Sequence, residues 1–528
     1  MGKQLFTSRN NINKVLTFQK SGSTNSFDPD INFSSGSRRV SWRLNNGSST
    51  TQIAGNSLTY TGFTSDPNIR TIEMRGNSFR GLSFLNWAND NLYGNFNISS
   101  LDNWANNSSI FLSNNPTLTG ITNPSISNTF NFYNLPSCGL VGNLNMTPIS
   151  GNIATFLVNN NTNLTGITHN TISRITNTYY AFSCNLTGNL NLPFTGLGGD
   201  FQVSVNPNLT GITHSPSSQN FTAYRANNCN LTGNLDLTPL SGLGGDFRVQ
   251  GNSGLTSIIH TTSTRNFTIY LASNCNLTGN LDLTPLYGLG GGFQVFNNPN
   301  LTGITHSPSS QNFTTYYANN CNLTGNLDLT PLSGLGGAIQ LYSNSGLTNI
   351  NFTSSTQNIT QLDIFNCGLI GTLDLSKLIK LGGNSSGITL SIVRLQNNPN
   401  LTNVIFPITN QFFKNFQDNE GNAAFDLFNC NLDYVDFTPL SGSTLLSGST
   451  QGRPRISLRN NGMTSADVNH ILVDFSGNAT NNQIGWSNIN LNIGGTNSAP
   501  DSSSGGYNGI AARNFLTGSP YNWIITHS

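Results

Sequence analysis

The sequence predicts a repeat solenoid rich in β-structure. Three observations carry that expectation: a recurring phrase, a constant cysteine spacing and a polar composition almost without charge. NNCNLTGNLDLTPL runs from Asn319 to Leu332, with near copies at Asn227 to Leu240 and Ser273 to Leu286. Cys138, Cys184, Cys229, Cys275, Cys321 and Cys367 follow one another at steps of 46, 45, 46, 46 and 46, with Cys430 a wider step on. A fixed period of this size indicates stacked supersecondary units whose number sets the length of the chain. Only 8% of the 528 residues are charged, against about 25% in ordinary domains. Asn, Ser, Thr and 54 glycines carry the polarity instead.

The charge balance excludes one class of partner. Lys and Arg number 22 and Asp and Glu 21, so no basic excess exists to neutralise a phosphate backbone, and nucleic acid is not expected. No run of about 18 apolar residues is present, so no membrane insertion is expected. The opening MGKQLFTSRNNINKVLTF lacks the apolar core of a signal peptide and places Phe6 where a myristoylation signal has Ser or Thr, so export by the common route is not expected.

Between the cysteine phrases lies a second phrase, such as FQVFNNPNLTGI at Phe293 to Ile304. FTAYRANNCNL, from Phe221 to Leu231, matches the pattern L-x-x-L-x-L-x-x-N/C-x-L through Phe221, Tyr224, Ala226, Cys229 and Leu231. ITQLDIFNCGL matches through Ile359, Leu362, Ile364, Cys367 and Leu369. The intervening phrase matches with one inserted residue, so that Leu301 arrives one position late. The N/C position then runs Asn115, Cys138, Asn161, Cys184, Asn206, Cys229, Asn252, Cys275, Asn298, Cys321, Asn344, Cys367, Asn398, Cys430 and Asn461, about fifteen coils that alternate Asn and Cys. Steps are 22 or 23 up to Cys367 and 31 or 32 beyond it.

A side chain at that position points inward and must meet backbone groups that the turn leaves unpaired. Asn both donates and accepts; Cys is small, readily buried and a weak donor. Disulfides are not expected. Strands about 4.8 Å apart put cysteines of alternate coils roughly 10 Å apart, beyond the ~7 Å reach of a bridge. The odd count of seven agrees with free thiols.

From about Ile110 to Asn461 these phrases resemble the leucine-rich-repeat family, and LTGNLDLTPLSGL resembles its variant with L-x-G-x-L/I after the strand. Tyr or Phe often replaces Leu on the strand. Arg39 to Met74, RVSWRLNNGSSTTQIAGNSLTYTGFTSDPNIRTIEM, resembles a PKD-like β-sandwich, with Trp42 and Asn45, Asn46, Gly47 and Ser48 near that family's tryptophan and GDGS turn. The acidic turn positions are neutral here. Residues 75–109 are expected to form an opening coil or cap, with Asn77 and Leu92 as anchors.

After the repeats, TSADVNHILVDF places Val468, Ile471, Leu472 and Phe475 on one helical face behind a Thr464 or Ser465 N-cap. A strand at Ile489 to Ile493, a Ser/Gly-rich loop and a short helix near Ile510 to Leu516 follow. This region resembles the C-terminal ends of repeat proteins from bacteroidete bacteria and tailed phages, where it closes the last coil. The expected organisation is an N-terminal PKD-like β domain over 1–75, a leucine-rich-repeat solenoid with short or irregular convex segments over 76–462, and a small α/β cap over 463–528.

No P-loop, zinc motif, nucleophile elbow or dinucleotide fingerprint is present. The sequence therefore predicts no enzyme, no cofactor and no metal. Asp236, Asp282, Asp328 and Asp374 recur seven places after their cysteines. Their alternate-coil spacing is too wide for a shared calcium ion or for the paired carboxylates of a glycosidase, so a solvated edge is expected. His169, His214, His260 and His306 recur eight places after their asparagines, in register with Leu192, Leu237, Leu283 and Leu329. Packing at the coil edge is expected, with a pH-sensing row as the alternative. The Asn208, Asn230 and Asn276 sequons fall inside the repeat phrase and read as turn chemistry.

Residues between the inward strand positions should project from the sheet. One row reads Phe111, Asn134, Leu157, Tyr180, Gln202, Arg225, Arg248, Leu271, Gln294, Tyr317, Gln340, Asp363, Arg394, Asp426 and Ser457; the next includes Phe182, Gln250, Phe296, Tyr342, Phe365, Gln396, Phe428 and Arg459. Aromatic anchors and Arg forks on a rigid sheet suit an interface. Tyr180, Phe182, Arg225, Arg248, Phe296, Tyr317, Tyr342, Phe365 and Arg394 are the candidate contacts. The expected partners are other virion proteins or a host-surface protein or glycan, and a homo-oligomer is compatible. The expected role is a phage fibre, tail or head-decoration component located in the virion, with a bacterial cell-surface adhesin as the alternative and a glycan-degrading β-helix enzyme third.

Overall fold

The structure, a computed structural model, describes residues 82–101, 104–171, 174–193, 195–309, 311–354, 357–383, 392–414, 424–446 and 453–527, together with the backbone of five earlier strands. It is a parallel β-solenoid with 8% helix. Two compact units, Met1–Leu255 and Thr256–Ser528, are described in turn.

In the first unit the strands Leu82–Asn86, Trp104–Phe111, Phe130–Asn134, Ile153–Leu157, Ile175–Tyr180, Gly199–Gln202, Phe221–Arg225 and Gly245–Arg248 pair in parallel, one per coil, as a front sheet. The opposite side is less irregular than expected. It carries short parallel pairs, Val141–Asn145 with Asn163–Thr168 and Thr187–Leu192 with Asn208–His214. Lys14–Lys20, Arg70–Gly76, Arg38–Leu44 and Ser49–Ala54 form an antiparallel sheet, and Lys14–Lys20 also pairs with Leu92–Asn97. Asp30–Phe33 runs antiparallel to Leu82–Asn86. Backbone pairing thus ties the N-terminal strands to the first coils. Trp42 lies on one of these strands; Asn45 to Ser48 and Asn77 lie outside the described residues. Leu92 is buried, and its N–H donates to Asn115 Oδ1 at 3.0 Å.

In the second unit Ser263–Leu271, Leu286–Gln294, Phe313–Tyr317, Gly337–Gln340, Ile359–Asp363, Ile392–Arg394, Phe425–Asp426, Arg455–Ser457, Asn490–Asn492 and Ile524–Thr526 pair in parallel as that unit's own front sheet. Helix α1, Ser465–Asn481, begins at Thr464, whose side chain accepts from the Asp467 N–H while the Asp467 carboxylate accepts from the Thr464 N–H. That reciprocal box satisfies two orphan donors, and Val468, Ile471, Leu472 and Phe475 are buried beneath the helix. Helix α2 spans Gly509–Thr517.

The core of each unit is a stack of rings. Tyr133, Phe156, Tyr179, Phe201, Tyr224 and Phe247 follow one another at centroid distances of 5.6, 5.1, 5.3, 4.9 and 5.6 Å. In the second unit Tyr270, Phe293 and Tyr316 are spaced 5.6 and 4.8 Å. Tyr belongs to the Cys coils and Phe to the Asn coils. Each fully buried ring stabilises by about 2–3 kcal/mol, and a buried phenol requires a partner. Asn123 supplies one to Tyr133 at 2.9 Å. His169, His214, His260 and His306 serve Tyr179, Tyr224, Tyr270 and Tyr316 at 2.8–2.9 Å. The histidines therefore sit inside the coils, at most 9% exposed, and not at the edge that the sequence suggests. Burial lowers His169 to about 3 and the other three to about 4, which keeps them neutral at neutral pH.

Candidate binding face

The inward ladder fixes where the face can stand. Asn206 Nδ2 donates to the carbonyls of Ala181 and Val203 at 2.9 and 2.7 Å, and its Oδ1 accepts from the Leu186 N–H at 3.0 Å. Leu186 stands two residues after Cys184. Asn161 and Asn252 hold Leu140 and Leu231 in the same way, and in the second unit Asn298, Asn344 and Asn398 hold Leu277, Leu323 and Leu369. Each carboxamide thus serves two coils. In the Asn coils the corresponding leucine, one position later, closes a turn onto the asparagine's own carbonyl, as Leu209 does on Asn206 at 3.0 Å. The single inserted residue has that function.

With the amide already served, the Cys coil needs only a small donor. Cys229 Sγ donates to the Val203 carbonyl at 3.2 Å. All seven cysteines are buried and unbridged, and burial pushes the thiols of Cys138, Cys184, Cys229, Cys321, Cys367 and Cys430 up to about 11. The residue before each ladder position, from Asn114 to Asn460, lies at φ between 52° and 75°. Asn, Ser or Gly fills it everywhere except Val205. That left-handed turn ends the strand and leaves its outward residues in line.

The strand register aligns Phe111, Asn134, Leu157, Tyr180, Gln202, Arg225 and Arg248 in the first unit. In the second it aligns Leu271, Gln294, Tyr317, Gln340, Asp363, Arg394, Asp426 and Ser457. Two clusters stand on these rows.

In the first unit Arg225 bridges Asp200 at 3.1 Å and Asp246 at 2.8 Å, Arg248 meets Asp246 at 2.6 Å, and the Tyr180 hydroxyl donates to Asp200 at 2.5 Å. Burial, and then the Asp200 carboxylate, pushes the Tyr180 phenol up to about 12. Phe182 meets the Tyr180 ring edge-on at 5.6 Å. Asp200 and Asp246 are absent from the sequence-based candidates. The signal was available: GLGGDF carries Asp where sister phrases carry Gly292 and Ala338, on a strand position facing the same side as the row.

In the second unit Arg394 grips Asp363 with two bonds of 2.7 and 2.6 Å, and Gln361 donates to the same carboxylate at 2.5 Å. Asp363 is 0% exposed. The Arg394 guanidinium lies 5.3 Å from the Phe365 ring, which stacks on Tyr342 at 4.6 Å and 4°. Arg459 covers Phe428 at 4.7 Å. Burial and then Asp363 raise the phenols of Tyr317 and Tyr342. Phe296 lies one row over, half-buried, outside both clusters.

The other ladders have structural roles. The carboxylates of Asp236, Asp282 and Asp328 each accept from the N–H and hydroxyl of the threonine two residues on, at 2.7–3.0 Å. Asp374 accepts from the Ser376 N–H. Asn208 of the first sequon donates to Asn185 at 2.8 Å. Among the described residues no group of three or more His, Cys, Asp or Glu could hold a metal ion, and no helix is long and apolar enough to cross a membrane.

Fold and face together define a parallel β-solenoid with few charged residues and, in each unit, a front sheet that carries a cluster of aromatics and arginines. No family model, no curated protein and no solved structure matches the chain.

Proposed function

We propose that the chain is a solenoid of the leucine-rich-repeat type that acts as a non-enzymatic contact protein of a virion, a fibre, tail or head-decoration component. Its front sheet meets a host-surface protein or glycan, or neighbouring virion proteins. A PKD-like N-terminal domain and a C-terminal cap flank the repeats in this reading. The observation that carries it is the concentration of Tyr342, Phe365, Arg394, Phe428 and Arg459 on one rigid face of a protein in which only 8% of residues are charged and Asn, Ser, Thr and Gly carry the polarity. Such side chains supply most of the energy at interfaces. The arginine partners of Asp200, Asp246 and Asp363 also support a binding role over an acid–base one.

Immunogold labelling of phage particles and of bacterial cells tests the location; label on cells alone favours the adhesin. Pull-down from host envelopes with Tyr317→Ala, Phe296→Ala and Tyr342→Ala tests the face. Capture unchanged in all three variants removes the face from the proposal.

A further inference from the structure

The side opposite the front sheet carries a second surface. Its strands come in pairs, and consecutive pairs are not joined into one sheet. Among the described residues no ladder joins Asn163–Thr168 to Thr187–Leu192, or Asn300–His306 to Thr324–Asp328, so peptide groups on those edges look to solvent or a ligand. In the first unit a groove of about 420 Å³ opens over the seam between Asn163–Thr168 and Thr187–Leu192. In the second, a groove of about 240 Å³ opens over the equivalent seam between Asn300–His306 and Thr324–Asp328.

Both grooves have the same construction. Leucine and isoleucine form part of the lining, Asn and Thr most of the remainder, and each groove adds one Gly, one His and one Pro. The first holds no Asp, Glu, Lys or Arg, and the second holds Asp328 alone. The asparagines are set in place: Asn143 accepts from Thr168 at 3.1 Å, Asn189 meets Thr213 at 3.0 Å, and Asn280 meets Thr305 at 3.0 Å. A glycine stands opposite each, and a Cβ at Gly166, Gly211 or Gly303 would lie 2.7–2.8 Å from the Asn Oδ1 and displace that carboxamide. Nδ1 of His306, a wall residue 6% exposed, has no hydrogen-bond partner.

We propose that each seam groove is a subsite for a neutral, hydroxyl-rich sugar, and that successive grooves within a unit follow one extended neutral glycan. Walls of fixed carboxamides and hydroxyls, with Asp328 of the second groove as their one ionisable carboxylate and apolar patches between them, match the alternating polar and apolar faces of a pyranose. The seams recur every second coil, roughly 10 Å apart, a rise comparable to one disaccharide of an extended β-linked chain. An inserted peptide strand fits less well. The Thr187 hydroxyl already reaches the Thr165 carbonyl at 3.1 Å, and the Asn185 N–H reaches Leu164 at 3.1 Å, which closes one end of the seam.

The test is calorimetric titration of the full chain with cellobiose, cellotetraose and cellohexaose, with a hyaluronan hexasaccharide and an uncharged Asn/Gly/Ser peptide as controls. The neutral tetraose should bind at least about tenfold more tightly than the biose, and hyaluronan and peptide should not bind. Asn189→Trp with Asn326→Trp should lower affinity at least about tenfold. Should the Trp pair lower the melting temperature, Asn189→Ala with Asn326→Ala replaces it and should show the same loss. Ile484→Ala, at a side chain 90% exposed and outside both grooves and the front sheet, should leave glycan affinity unchanged. No neutral binding, preference for hyaluronan or peptide, or groove variants that bind as wild type would each overturn the proposal.

Discussion

Asn161 and Cys184, one coil apart, donate to the same acceptor: the Val158 carbonyl oxygen receives Asn161 Nδ2 at 2.7 Å and Cys184 Sγ at 3.3 Å. A carbonyl has two lone pairs, so the carboxamide and the thiol share one acceptor without competing. The arrangement is asymmetric. Asn161 also holds Leu135 and Leu140, whereas Cys184 makes its main contact with Val158 alone.

The two ladder types should differ in cost accordingly. Asn206→Ala strands the Leu186 N–H and the Ala181 carbonyl, and two unsatisfied buried groups cost about 2–4 kcal/mol. Cys229→Ala removes one weak donor and should cost about 1 kcal/mol. Urea midpoints of the two variants give the comparison; equal losses would contradict the two-coil role of the carboxamide.

Val205 is the one β-branched residue among the left-handed positions before the ladder, at φ 58° and 47% exposed. A side chain branched at Cβ is strained there by about 1–2 kcal/mol, and its exposure means little packing is lost on replacement. Val205→Asn should therefore raise stability by about 1 kcal/mol, measured as a higher thermal midpoint. A lower midpoint would show that Val205 contributes packing that outweighs the strain.

The histidine–tyrosine pairs predict a pH dependence. Burial depresses the four histidines from 6.5 to about 3 or 4, so between pH 6.5 and 4 the unfolded chain binds more protons than the native one. Stability is then fully present above pH 6.5 and falls as the pH drops toward 4. His214→Asn substitutes the residue type that already serves Tyr133 and should flatten part of the slope. Thermal midpoints across pH 4–8 decide it; a midpoint independent of pH would exclude neutral buried rings.

Arg394 and Asp363 form a pair that resists single substitution. Arg394→Ala leaves a carboxylate with 0% exposure without its main counter-charge and should cost about 3–5 kcal/mol. Arg394→Lys should recover only part, because a single ammonium cannot reproduce the two-pronged contact. Thermal unfolding of both variants checks the order. Binding on the front face is therefore better probed at Tyr342 and Phe365.

The sequence by itself determined the coil period, the inward Asn/Cys ladder, the outward row and the amphipathic α1, because each depends on a spacing that one strand or one helical turn imposes. It did not reveal why Asn and Cys alternate, since that rests on the Asn161 carboxamide reaching Leu140 of the preceding coil. It also missed the Asp200 and Asp246 carboxylates beside Arg225, the tyrosine partners of the histidines, and Asn497, which extends the ladder by donating to the Leu458 carbonyl at 2.9 Å. Those contacts join residues about 10 to 40 positions apart, and no local pattern in the chain specifies them. Only stacking the coils brings such donors and acceptors within hydrogen-bond reach, so the tertiary structure decided which of the repeated residues act on one another.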